Sequence, residues 1–137
     1  MTTVSRVVLI DDSDDDNFFH SIVIKDAGFD GELIIFESGV AALDFLRTAD
    51  LQRPTLIFLD INMPLMDGFE FAELASPILA GTPSVTIVML TSSPSPNDRQ
   101  RAEGIETIRG FMTKPLTKEL VMKLLSSPPS SANWKFS

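Results

Sequence analysis

Apolar residues along this chain gather in five short runs, at residues 7–10, 33–36, 56–59, 85–90 and, more weakly, 108–112. Most of them are continuous rather than alternating and rich in β-branched side chains. That is the pattern of strands covered on both faces, as in a parallel sheet. Between the runs the spacing becomes helical. Phe19, Ile22, Val23 and Ala27 form a predicted stripe, closed by Gly28 as a C-terminal cap. Ser38 is placed to cap a second helix carrying Val40, Leu43 and Leu46. Phe71, Leu74, Ala75 and Ile78 fit the i, i+3, i+4, i+7 template of a third, with Gly81 beyond it. Pro77 falls inside that template and predicts an end or a kink near Ser76. Asn97 or Asp98 opens a short fourth helix through Ala102. Thr117 caps a fifth, with Leu120, Val121, Leu124 and Leu125 on its apolar side.

Strand and helix thus alternate five times, which predicts an α/β fold: a doubly wound (βα)5 architecture on a five-stranded parallel sheet. Residues 126–137 are rich in Ser and Pro and read as a tail on a single domain at 5–125.

Composition narrows the function. With 137 residues and no cysteine, disulfide frameworks, thiol nucleophiles and thiolate metal sites are excluded. A net charge of −8 opposes nucleic acid or an anionic membrane as a general partner. No apolar run approaches the ~18 residues of a membrane span, and the opening residues lead straight into carboxylates, unlike a signal peptide. The expected location is cytoplasmic. The charge is uneven: residues 1–98 carry 4 basic and 16 acidic side chains, residues 99–137 carry 7 and 3. The basic end suits an acidic partner or simply solvates helix faces.

In open parallel sheets, ligands bind beyond the carboxyl ends of the strands. Here the first run ends in Asp11-Asp12, the third in Asp60, the fourth in Thr91 and the fifth in Lys114-Pro115. Clustered carboxylates must hold a proton or a cation, and an all-oxygen donor set favours magnesium or a similar hard ion. Taken singly the pieces are ordinary. Asp14, Asp15 and Asp16 read as a solvated helix start, His20 as a structural or exposed histidine, and Lys114 alone as a surface lysine. An EF-hand fits poorly, because the sixth position from Asp12 is Asn17 and the twelfth is Val23.

Four segments in order, Leu9-Ile10-Asp11-Asp12, residues 58–68 (FLDINMPLMDG), Leu90-Thr91-Ser92 and residues 111–115 (FMTKP), closely resemble the receiver domains of two-component response regulators. The resemblance implies a flavodoxin-like sheet of order 2-1-3-4-5 and a stand-alone chemotaxis-regulator-like receiver, a signalling protein rather than an enzyme. It implies Asp60 as phosphoacceptor, magnesium held by Asp12 and Asp60 directly, by Asp11 through water and by the Asn62 carbonyl. Lys114 and Thr91 would meet phosphoryl oxygens, Thr91 and Phe111 would form the switch, and Pro115 would take the cis-proline place. Phe111 stands where tyrosine is frequent, so switching there rests on packing without a phenol. Asn62 and Ser93, the pair that would tune dephosphorylation, include no ionised base. Pro64, Asp67 and Gly68 would shape the loop after the acceptor. The implied partners are a sensor histidine kinase or histidine phosphotransfer protein and a downstream protein. They extend to a second copy of the chain on phosphorylation, through a basic-leaning face with Arg99, Arg101, Arg109, Lys118 and Lys123.

Two other classes compete. A small magnesium-dependent aspartyl-phosphate phosphohydrolase would need a second carboxylate where Asn62 stands, and a cap domain. A flavodoxin-type carrier would need an anion-binding first loop, and this one holds five aspartates.

Overall fold

The three strands that meet neighbours on both sides are buried along their whole length: β1 (Arg6–Ile10), β3 (Thr55–Asp60) and β4 (Val85–Thr91). The two edge strands, β2 (Glu32–Phe36) and β5 (Ile108–Thr113), are each open in part. All pairings are parallel and the order is β2-β1-β3-β4-β5, so the expected flavodoxin-like fold is the observed one. The computed structural model describes residues 3–126. The tail expected from residue 126 lies, from 127 onward, outside the described residues.

Side chains alternate across the sheet into two cores, because successive strand residues point to opposite faces. Val8, Ile10, Ile57, Leu59, Ile87, Met89 and Phe111 pack under three helices: α2 (Gly39–Thr48), α3 (Gly68–Leu79) and α4 (Pro96–Glu103). Val7, Leu9, Leu56, Phe58, Val88, Leu90 and Met112 pack under α1 (Asp14–Asp26) and α5 (Lys118–Ser126).

The helix ends follow the capping residues. Ser13, Ser38 and Thr117 each accept a backbone N–H three residues on, and Gly28 takes φ 96° just past α1. The start of α4 differs from expectation. Ser95 is its cap and Pro96 its first residue, where a missing N–H costs nothing. Pro77 does not end α3, which runs on to Leu79. Pro77 is exposed, and the last turn is held by Leu79, 4% exposed in the core.

Three predicted apolar stripes are corrected. Val40 and Leu74 are half exposed, while Ala42 and Ala72 take the inward positions in α2 and α3. The largest departure is α1. Phe19 and Ile22 face outward with Phe18, and the buried face is Asn17, His20, Ser21 and Ile24. The Asn17 amide donates to the Asp11 carbonyl at 2.8 Å, and that tie, with the Ser13 cap, fixes the rotation of the helix against its hydrophobic preference. His20 is buried with its ring edge-on to Phe19, and burial lowers its pKa.

Candidate functional site

The carboxyl ends of β1, β3, β4 and β5 bring Asp11, Asp12, Asp60, Thr91 and Lys114 to one edge of the sheet. One carboxylate oxygen from each of Asp11, Asp12 and Asp60 lies within 4.8 Å of the others. Asp11 and Asp60 are buried and Asp12 is exposed, so the cluster opens to solvent on one side. Asp11 is held twice: its Oδ1 accepts the Ser13 N–H at 3.0 Å and its Oδ2 the Lys114 ammonium at 2.7 Å.

Lys114 is the hub. Its Nζ also lies 2.8 Å from Asp16 Oδ2 and 3.2 Å from Asp60 Oδ1. Burial would lower its pKa, but the hydrogen bonds to Asp11 and Asp16 and the charge of Asp60 outweigh it and raise the value. Asp60 is pushed up to about 6, first by burial and then by the nearby Asp11 and Asp12 charges, with Lys114 opposing. Asp11, Asp16 and Asp60 therefore share one cation while Asp12 lies beside them unpaired with it, and negative charge is in excess. An all-oxygen pocket of that kind suits a hard divalent ion.

The loop after β3 is built for close approach. Gly68 donates its N–H to the Ile61 carbonyl at 2.8 Å, and a Cβ on Gly68 would overlap the Asp60 carbonyl oxygen. Asp67 and Glu70 form a reciprocal capping box at the start of α3. Leu65 is fully exposed at φ 69°. Asn62, also in this loop, is exposed. The Lys114–Pro115 peptide is cis, in the place the sequence resemblance gave it.

Thr91 is fully buried at the end of β4, one residue beyond Leu90, the register partner of Asp60. Its hydroxyl oxygen accepts the Ser93 N–H at 3.2 Å. Phe111 is 2% exposed, its ring packed within the core. Asp16 is the member that sequence reasoning missed. Read as solvated with Asp14 and Asp15, it turns to Lys114 instead. The available signal was its place three residues after Ser13, where a carboxylate is close to the helix start.

Fold and site together define a flavodoxin-like α/β domain with an acidic pocket at the carboxyl ends of its strands, and comparison with known proteins says which family it is. Residues 7–126 match the response regulator receiver domain family, and the chain belongs to that family. It is 38% identical over 98 residues to the response regulator Rcp1 of Synechocystis, an alignment covering 67% of this chain and 65% of that protein. A two-component response regulator of Cytophaga hutchinsonii superposes with TM-score 0.81 at 30% identity, over 90% of this chain and 96% of its own. The Mn2+-bound form of Rcp1 gives TM-score 0.72 at 25% identity, over 96% and 99%. Receiver domains bind a divalent metal at an acidic pocket, are phosphorylated by histidine kinases and contact downstream proteins. Among the described residues no helix is long and apolar enough to cross a membrane.

Proposed function

We propose that this chain receives a phosphoryl group on Asp60 from a histidine kinase or histidine phosphotransfer protein and passes the signal on by protein–protein contact. The observation that carries the reading is Asp60 itself, a carboxylate at a strand end, 3.2 Å from the Lys114 ammonium and beside Asp11 and Asp12. Its oxygen would attack phosphorus as the bond to the donor nitrogen breaks, and the phosphoryl group would remain as an acyl phosphate. Asp11, Asp12, Asp60 and the Asn62 carbonyl would hold magnesium, which when bound offsets repulsion between the carboxylates and the incoming group. Lys114 donates to a phosphoryl oxygen and Thr91 gives its hydroxyl to another. Asn62 puts no second carboxylate two residues past Asp60, so nothing favours the phosphohydrolase alternative.

For output, Thr91 leaves the Ser93 N–H on phosphorylation, and the change passes to Phe111 and the face of α4, β5 and α5. Arg109, Lys118 and Lys123 lie on that face. Arg101 is engaged by Glu73 at 3.9 Å and by the Phe69 ring at 4.4 Å, so the face is less basic than its sequence. Asp60→Asn is the decisive test. Acetyl phosphate with magnesium should add one phosphate to the wild-type chain by intact mass and none to the variant. Equal labelling of both would move the acceptor elsewhere.

A further inference from the structure

At α3 the third helical residue, Glu70, reaches back to the N–H of its cap residue Asp67 at 3.0 Å. At α1 the equivalent residue is Asp16, and the cap N–H it would serve, that of Ser13, is already taken by Asp11. The Asp16 carboxylate is thereby released from helix capping and closes instead on Lys114. An ammonium has three donors. Asp11 and Asp16 accept hydrogen bonds from it at 2.7 and 2.8 Å, and Asp60 Oδ1 lies 3.2 Å away as an ion pair. A phosphoryl oxygen on Asp60 takes over the 3.2 Å contact and, lying beyond the carboxylate, draws Lys114 against its two hydrogen bonds. Asp16 is the contact to give way, because its side chain is 42% exposed against 7% for Asp11 and 9% for Asp60, and water can replace the bond.

We infer that Asp16 is a positioning residue that restrains Lys114 in the unphosphorylated site and opposes its movement toward a phosphoryl group on Asp60. The inference rests on the proposed phosphoacceptor role of Asp60. Asp16 thus sets the balance between the two states without touching the phosphoryl group. Its own negative charge adds to the effect by opposing the incoming anion.

Beryllofluoride, an aspartyl-phosphate mimic, tests this in saturating magnesium. Asp16→Asn should bind it about fivefold more tightly than the wild type, the scale of a half-exposed ion pair. The fluorine resonances of bound beryllofluoride should shift as Lys114 moves closer. Asp15→Asn is the control: it removes the same charge from an exposed neighbour that makes no ion pair among the described residues, and should change affinity less than twofold. Equal effects of the two substitutions, or no tightening by Asp16→Asn, would overturn the restraint while leaving Asp60 as acceptor. A wild-type chain that takes no beryllofluoride would sink the acceptor reading itself.

Discussion

Buried charge sits at both ends of the sheet, and the two ends handle it in opposite ways. At the amino end Arg6 is 3% exposed. Its Nε donates to the Thr55 hydroxyl at 3.0 Å, a terminal nitrogen donates to the Asp50 carbonyl at 2.9 Å, and its carbon lies 5.2 Å from the centre of the Phe45 ring. One cation meets neutral acceptors and an aromatic face. At the carboxyl end, Asp11 and Asp60 are nearly as buried, yet three carboxylates crowd Lys114 and a fourth, Asp12, lies beside two of them. The first arrangement has its contacts made, although burial and the neighbouring Arg53 charge lower the Arg6 pKa. The second is short of positive charge, so it is improved by a cation or by losing a carboxylate. A satisfied buried charge marks scaffold here, and an unsatisfied one marks the site.

Breaking the amino end should have the largest effect. Arg6→Ala leaves the Asp50 carbonyl without this donor, forfeits the cation–aromatic contact and should cost about 3 kcal/mol. Urea titration reads this directly, and a loss below about 1 kcal/mol would erase the contrast.

Asp60→Asn should act in the opposite sense. Because the folded pKa of about 6 lies above the ordinary 3.8, the wild-type fold binds a proton more readily than the unfolded chain does. Wild-type stability from this group is present at low pH and is lost as pH rises from about 4 through 6. The shift sets a ceiling near 3 kcal/mol, and water at a half-open site trims the gain of the Asn variant at pH 7 to about 2 kcal/mol. The gain should fade below pH 6 and vanish near 4. A gain independent of pH would mean that Asp60 is not under strain from its neighbours.

Magnesium should give the smallest change. At tenfold excess over its dissociation constant, one native-state site contributes about 1.4 kcal/mol. Thermal melts should show that rise in the wild type, and Asp12→Ala should remove most of it. An undiminished rise would place the ion away from Asp12.

The same contrast explains how much was legible in sequence. Strands β1, β3 and β4 were visible because burial on both faces demands unbroken apolar runs, and the site because its residues end those runs. The outward side of α1 was not visible. Its rotation is decided by two polar ties, Asn17 to the Asp11 carbonyl and the Ser13 cap to Asp16 N–H, and hydrophobic periodicity carries no record of either. Phe19 and Ile22 consequently look like core in the sequence and, with Phe18, lie on the surface. Val40 and Leu74 misled for a simpler reason: Ala42 and Ala72 are small enough to take the close positions against the sheet.

Lys114 and Asp11 meet across 103 residues of chain. A polypeptide emerging from synthesis acquires all its site carboxylates by residue 60 but has no ammonium among them until β4 has been laid down and β5 added beside it. On the reading proposed above, a partly made or partly unfolded chain displays Asp60 as bare negative charge, closed to phosphate. On that reading, receptivity to phosphate requires the last strand to be in place.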